Sequence, residues 1–380
     1  MANEELSKEE QARYSRHLIM PEIGKEGQAK LKNAKVLIIG AGGLGNPAAI
    51  YLAAAGVGTI GIIDFDKVDI SNLQRQTLYS GEDIGKPKAA IMKKQLEKIN
   101  NNIKIITYDK KLISNNALNI IKNYDIIIDG SDNFPTRYLV NDACVLSKKP
   151  LVYGSVYRFD GQASVFNYNN GPCYRCLFSN PPPAGLMPNC EEAGVLGVLP
   201  GIIGMVQATE SLKIILGKGK ILSGRLLVYN AMSMAFMELN VKKNKNCPIC
   251  SENPSITSLI DYEDFCNKKA EKDEITAKKL KEMIGSKEDF ILVDTREKIE
   301  QDMCKIENAK LASFTEIARG NFKIFDNIGK DKKIVLYCHT GNRSAYALNI
   351  LKKKGYNNVK NLIGGIDAWA REIDRKVALY

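Results

Sequence analysis

Near the carboxyl end, Cys338 closes the apolar run "IVLYC". His339, Thr340, Gly341 and Asn342 then form a short polar turn before Arg343 and Ser344 open a helix. Successive backbone N–H groups in such a turn point inward as an anion-binding nest, with the helix dipole behind them and the charge of Arg343 beside them. A thiolate there is expected to have a lowered pKa, and an outer sulfur attached to it would sit inside the cradle. Cysteine-based phosphoryl chemistry uses a longer turn between its Cys and Arg, so the shorter cradle suits sulfur better than phosphate.

The first half carries a different chemistry. "KVLIIGAGGLGNPAAIYLAAAG" reads as a strand, a glycine turn and a helix: Gly40, Gly42 and Gly45 fit G-x-G-x-x-G, Gly43 lies between them, and Asp64 stands near the end of the next strand, "TIGIIDFD". That spacing suits a carboxylate reaching the ribose hydroxyls of a nucleotide seated on the helix amino terminus. Alone, it points to an NAD-dependent dehydrogenase. Downstream, "SNLQRQTLY" places Asn72 and Arg75 in a polar loop, "IGKPKAA" puts Lys88 at a helix start, and "DGSDNFPTR" puts Asp132 just past a strand. Two cations and a carboxylate at strand ends suit phosphoryl or nucleotidyl transfer from ATP, with Arg75 and Lys88 neutralising phosphate charge and Asp132 able to hold magnesium (Mg2+). No G-x-x-x-x-G-K-[ST] is present, which argues against a P-loop kinase.

"GPCYRCLF" and "KNCPICSE" supply two C-x-x-C pairs, Cys173/Cys176 and Cys247/Cys250. Two such turns complete a tetrahedral zinc (Zn2+) site of structural type; a redox role for "CPIC" is the competing reading. With only two histidines, His17 and His339, a four-ligand zinc site here must be built almost wholly from cysteine. Cys190 follows Pro181, Pro182, Pro183 and Pro188, so it is expected on an irregular loop just before an apolar helix whose amino terminus favours a thiolate.

The elements that must position these groups alternate. Strands are expected at 36–39, 59–66, 103–108, 124–129 and 150–154, with helices at 86–100, 114–122 and 136–147, which argues a mostly parallel Rossmann-like sheet with helices on both faces. From about Ile275 a smaller α/β unit follows: a helix at 276–284, the strand "FILVDTRE", two short helices, "KIVLYC", a helix at 344–354, and a last strand and helix in "VKNLIGGIDAWAREI". The 380 residues therefore divide into 1–252, a polar linker at 253–273, and 274–380. Composition is that of a soluble globular protein, 44% hydrophobic and 26% charged. The net charge of +11 is spread along the chain with no basic stripe interleaved with aromatics, so no nucleic-acid partner is expected. The apolar stretch from Ala193 to Thr209 contains Pro200 and reads as a buried helix rather than a membrane span. A charged amino terminus and nine cysteines without a secretory signal point to a reducing cytoplasmic setting.

"ARYSRHLIMPEIG", "GAGGLG", "DFDKVDISNLQRQTLY", "GKPKA" and "SDN", in this order, resemble the ThiF/MoeB family of bacterial relatives of ubiquitin-activating enzymes, over about residues 10–252. "LVDTRE", "YCHTGNRS" and "NLIGGIDAW" resemble a single rhodanese domain over about 274–380, with "CKIENAKLAS" at 304–313 departing from the usual segment there. The fusion resembles the molybdopterin-synthase adenylyltransferase/sulfurtransferases of the MoeZ type. That resemblance implies adenylation of the carboxyl-terminal Gly-Gly of a ubiquitin-like sulfur carrier, then sulfur transfer from a Cys338 persulfide loaded by a donor such as a cysteine desulfurase, giving a thiocarboxylate. It also implies that Asp64 holds the ribose, that Asn72, Arg75 and Lys88 contact the phosphates, that Asp132 serves magnesium, and that zinc sits on the four paired cysteines. Arg16 would reach the phosphates bound by a neighbouring subunit, implying a homodimer, and Cys190 would take part in acyl transfer. Whether Cys190 forms a thioester before Cys338 acts or resolves an acyl-persulfide afterwards stays open, as do an activator with an accessory second domain and a non-catalytic scaffold. The pathway served (molybdopterin, thiamine, cysteine or tRNA thiolation) is not written in the chain.

Overall fold

The computed structural model describes residues 6–181, 194–267, 273–375 and 377. They form two compact units, divided between Glu263 and Asp264. In the first, β1 (Lys35–Ile39), β2 (Thr59–Ile63), β3 (Lys104–Tyr108), β4 (Ile126–Asp129), β5 (Leu151–Tyr157), β6 (Asp160–Phe166), β7 (Arg225–Asn230) and β8 (Ala235–Asn240) make one sheet in the order β3-β2-β1-β4-β5-β6-β7-β8. The first five are parallel, with Val36 beside both Ile60 and Ile126. Val36, Ile38, Ile60, Ile62 and Ile128 share one core with Ala48, Leu52, Met92 and Leu199, while the intervening Leu37, Ile127 and Leu151 are buried as well. Burial at both parities explains why these strands read as continuous apolar runs.

The antiparallel continuation β5–β8 extends the expected parallel sheet. β8 is exposed at all six positions, so its sequence, "AFMELN", has no apolar alternation to announce a strand. The apolar helix runs Val198–Leu216, past Glu210, and has the length and composition of a membrane span. It packs instead against β5, β6 and the helix Gly45–Ala55. Two of its buried polar side chains find partners inside the protein: the Gln207 amide nitrogen donates to the carbonyls of Asp129 (2.7 Å) and Val152 (3.1 Å), and Glu210 accepts from the Leu222 N–H.

The segment after the second cysteine pair folds with the first unit as far as Glu263. Its anchor is a buried cluster. Arg175, between Cys173 and Cys176, forks onto Asp142 of the helix Phe134–Leu146, and the Tyr262 hydroxyl donates to the same carboxylate at 2.8 Å. Arg175 also lies over the Tyr138 ring.

In the second unit, β9 (Glu274–Ile275), β10 (Ile291–Asp294), β11 (Lys310–Leu311), β12 (Ile334–Tyr337) and β13 (Val359–Leu362) form an all-parallel sheet ordered β11-β10-β12-β13-β9. In the segment 304–313 Ile306 is buried and its N–H reaches the Tyr337 hydroxyl, while buried Arg296 pairs with Asp294 and donates to the Cys304 carbonyl. The helix after Cys338 begins at Asn342, two residues earlier than expected, because Gly341 (φ 94°) takes the left-handed cap that lets the chain turn at once.

Breaking a buried ion pair from one side strands the other charge. Asp142→Ala is therefore expected to cost about 3–5 kcal/mol in urea unfolding. Replacing both partners together (Asp142→Leu with Arg175→Met) should cost less; equal losses would show that the charge pairing is not what Asp142 supplies.

Candidate nucleotide, metal and sulfur sites

The chain leaves β1 and β4 on neighbouring strands but continues from them in opposite directions across the sheet, which opens a crevice at their carboxyl ends. Gly40 (φ 92°) and Gly130 meet there so closely that a Cβ on Gly40 would lie 2.7 Å from the Gly130 carbonyl oxygen. Gly45 seals the turn from below, where a Cβ would lie 2.0 Å from the Gly40 carbonyl. Around the crevice stand Gly40, Gly42, Gly43, Asp64, Asn72, Arg75, Lys88 and Asp132. Gly43 leaves room for Arg75 and Pro200, which a Cβ there would approach to 3.5 and 3.0 Å. Of the expected nucleotide residues, Gly45 lies under the crevice rather than on its wall. Arg16 sits exposed on the short helix Ser15–Leu18 and does not line it.

The side chains are pre-placed by backbone partners. Asp64 accepts the N–H of Ala41 and of Asp66, both at 2.7 Å, so the carboxylate also braces the glycine turn. Burial pushes Asp64 above the ordinary aspartate range, against those two hydrogen bonds and the nearby charge of Lys88. Lys88 opens the helix Lys88–Ile99 with its ammonium largely buried, 3.2 Å from Asp66. Arg75 is tethered by the Ser71 carbonyl, and Asn72 caps its own turn by accepting from Asp69 N–H. Asp132 is exposed at the mouth.

Several wall residues lacked a sequence signal. Lys110, Lys111 and Gln76 line the crevice, and so does buried Arg137, which donates to Ser155, Tyr153 and the Ser131 carbonyl. An arginine inside the apolar helix "FPTRYLVNDACVL" was the available clue, since such a charge needs partners. Beneath it, burial raises the Asp129 carboxyl, which holds Ser131 by two hydrogen bonds.

Cys173, Cys176, Cys247 and Cys250 come together with all four sulfurs within 4.8 Å of one another. The contacts Cys173–Cys247 (3.5 Å), Cys176–Cys250 (3.4 Å) and Cys173–Cys176 (3.9 Å) are far too long for disulfides. They match the edge of a thiolate tetrahedron, about 3.8 Å for metal–sulfur bonds of about 2.3 Å. The four residues fit a thiophilic metal. Cys190 lies outside the described residues.

In the second unit Cys338 is buried at the end of β12, and Ser344 Oγ lies 3.5 Å from its sulfur. Gly364 and Gly365, both at positive φ, pack on the cysteine turn; a Cβ on Gly365 would lie 2.4 Å from the Cys338 carbonyl and 2.3 Å from that of His339. The "GG" of "LIGGIDAW" is thus the floor of the cradle. Arg343 forks onto Glu300 of the helix Lys298–Met303. Nothing in the sequence pattern pointed to that partner.

Elemental analysis of the purified chain is expected to find one thiophilic metal per chain. The double substitution Cys173→Ser/Cys176→Ser should lose the metal and lower the unfolding midpoint. A variant keeping both would remove the metal assignment.

Two family models match the chain: the ThiF family over residues 14–249 and the rhodanese-like domain over 276–372. The probable adenylyltransferase/sulfurtransferase MoeZ of Mycobacterium tuberculosis is 45% identical, the alignment covering 99% of this chain and 96% of that protein. The adenylyltransferase and sulfurtransferase MOCS3 of Culex quinquefasciatus is 42% identical over 99% of this chain and 90% of its own length. The sulfur carrier protein adenylyltransferase of Thermus thermophilus is 52% identical over 68% of this chain and 98% of its own. Among solved structures, MccB of E. coli matches with a TM-score of 0.57 at 24% identity, covering 65% of this chain and 76% of that one, a likeness of fold. With a nucleotide crevice at the switch point, a four-cysteine cluster and a cysteine cradle in a second unit, the chain belongs to the ThiF family and, within it, to the adenylyltransferase/sulfurtransferases that carry a rhodanese-like domain.

Proposed function

We propose that the first unit adenylates the carboxyl-terminal Gly-Gly of a ubiquitin-like sulfur carrier with ATP, and that Cys338 then supplies the sulfur of a thiocarboxylate. The observation that carries this reading is the pairing, in one chain, of a crevice walled by Arg75, Lys88 and Asp132 with a glycine-floored cysteine cradle. The carrier's carboxylate oxygen attacks the α-phosphorus of ATP and pyrophosphate leaves. Arg75 and Lys88 offset the charge that develops on the phosphates, and the turn after Gly40 presents its N–H groups to them. Asp64 holds the ribose, and Asn72 closes the phosphate side. Asp132 has the exposed carboxylate that would hold magnesium, which would add further charge neutralisation.

The terminal sulfur of a persulfide on Cys338 then attacks the acyl carbon and AMP leaves. Arg343 belongs to this cradle. Cys190 acts either before, as an acyl thioester, or after, attacking Cys338 Sγ to release the thiocarboxylate and form a disulfide that a thiol reductant reopens. A cysteine desulfurase is the donor class that delivers persulfide sulfur.

Zinc on Cys173, Cys176, Cys247 and Cys250 is the choice a closed four-thiolate set favours, and it acts structurally. A homodimer is supported by exposed Ile19 (72%) and Met20 beside Arg16, and by exposed Tyr51 and Met205 on two helices that pack together. Arg16 would then serve the partner's nucleotide. Carrier docking is supported by a second apolar surface: Phe159, Met232 and Met234 are exposed beside the turn joined by the Ala231–Phe159 hydrogen bond. The bridge partner of Arg158 is the crevice residue Val195. None of the described cysteines is in a disulfide, a state that suits a reducing setting such as the cytosol.

Carrier-dependent exchange of pyrophosphate into ATP is the direct assay of the first step. Lys88→Ala is expected to lower it at least a hundredfold, by about 2.7 kcal/mol or more of transition-state stabilisation. Exchange that is unaffected by Lys88→Ala, or independent of the carrier's Gly-Gly end, would contradict the reading.

A ribose-binding carboxylate works as the anion, and Asp64 carries a raised pKa. Nucleotide affinity should therefore fall on acidification at a higher pH than an ordinary aspartate at 3.8 would dictate. In Asp64→Asn that loss should flatten; an identical pH profile would remove Asp64 from nucleotide binding.

A further inference from the structure

Both basic side chains of the cysteine turn face a carboxylate brought by another element. His339 Nε2 lies 2.9 Å from Asp367 Oδ1, in the first turn of the helix Gly365–Glu372. Arg343 Nη1 donates to Glu300 Oε2 at 2.6 Å and Nη2 to Oε1 at 2.5 Å. Glu300 is itself fixed: Oε2 also accepts the Glu297 N–H at 3.0 Å, as the reciprocal half of the capping box that starts its helix. The pair is partly withdrawn from solvent, with side chains 30% and 18% exposed, so its charges couple more strongly than in open water.

We propose that Glu300 sets the donor selectivity of Cys338: by neutralising Arg343 it turns the sulfur site away from small dianions such as thiosulfate and toward persulfide donors, which carry at most one negative charge. This rests on the reading that Cys338 carries transferable sulfur. In either loading reaction the Cys338 thiolate attacks the outer sulfur of the donor and that donor's S–S bond breaks. Thiosulfate releases sulfite, which keeps the electron pair and the full double negative charge. A persulfide, R–S–SH, releases a single thiolate. A dianion entering the turn must approach the Glu300 carboxylate, or displace it from Arg343 and leave it facing the incoming charge. A persulfide, with at most one negative charge, meets a smaller obstacle, and the backbone N–H groups of the turn suffice to steady the one thiolate that leaves.

The test uses the full chain with cyanide as acceptor, which removes the outer sulfur as thiocyanate and restores the thiolate. The donors compared are thiosulfate and 2-hydroxyethyl persulfide, in wild type, Glu300→Gln and Glu300→Gln/Arg343→Gln. Glutamine keeps the cap acceptor while removing the charge. Glu300→Gln is expected to raise kcat/KM for thiosulfate about tenfold, chiefly through KM, because one unit of opposing charge is removed at close range. The persulfide rate should stay near that of wild type, and the thiosulfate gain should vanish in the double variant, since it needs the charge of Arg343. Unchanged thiosulfate kinetics, equal shifts for both donors, or a gain that survives loss of Arg343 would overturn the proposal. If the melting profile shows that Glu300→Gln has lost its fold, Glu300→Ala must show the same donor-specific gain or the proposal falls. Intact-mass analysis separates the two levels: wild-type Cys338 gaining no sulfur from either donor refutes the sulfur-carrying reading and this inference with it, whereas sulfur uptake without selectivity through Glu300 refutes only the inference.

Discussion

The constraint on which the first unit depends is the approach of two strand ends. Gly40 after β1 and Gly130 after β4 touch backbone to backbone, and neither position leaves room for a side chain. Everything chemical in that unit is arranged around this contact. The parallel sheet fans away from it in both directions, so the loops that follow β1, β2 and β4 open onto one crevice. Asp64 then ties the end of β2 to the glycine turn through Ala41 N–H, and Asn46 and Tyr79 hold the Ala41 carbonyl from the other side. The turn is fixed from both sides before any nucleotide arrives, which is the condition for backbone N–H groups to stabilise phosphate charge without reorganising.

The second unit solves a similar problem on a smaller scale. Gly341, Gly364 and Gly365 let two loops press on the end of β12, so the chain after Cys338 curls into a cradle instead of running on. In each unit a buried Arg–Asp pair holds a loop to the framework. Arg175 with Asp142 fixes the first cysteine pair, and Arg296 with Asp294 fixes the segment around Cys304 beside β12. Such pairs add little net stability, because burying two charges offsets their attraction, but they admit only one geometry when every donor is used.

Much of this was legible in the sequence because it depends on local chemistry. Glycine spacing, β-branched runs and strand-end polar residues all report backbone needs within a few residues, and they located the crevice, the cysteine pairs and the cradle. What the sequence hid depends on contacts far along the chain. Arg137 lines the crevice only because Tyr153 and Ser155, 16 and 18 residues further along on β5, take up its donors. Glu300 reaches Arg343 across 43 residues. The edge strand β8 was invisible for another reason: exposed at every position, it has no buried face to impose a period. The start of the helix after Cys338 was placed late because the left-handed cap at Gly341, a matter of φ rather than of composition, decides it.

The central claim is that one chain joins carboxylate activation to sulfur delivery. Its most direct test is the intact mass of a Gly-Gly-ended carrier incubated with the full chain, ATP, magnesium and a persulfide donor. Exchange of one carrier oxygen for sulfur, dependent on ATP and lost in Cys338→Ala, is the predicted result. A carrier that is adenylated yet never gains sulfur from the wild-type protein would contradict the joined reaction and leave an activator whose second unit serves another acceptor.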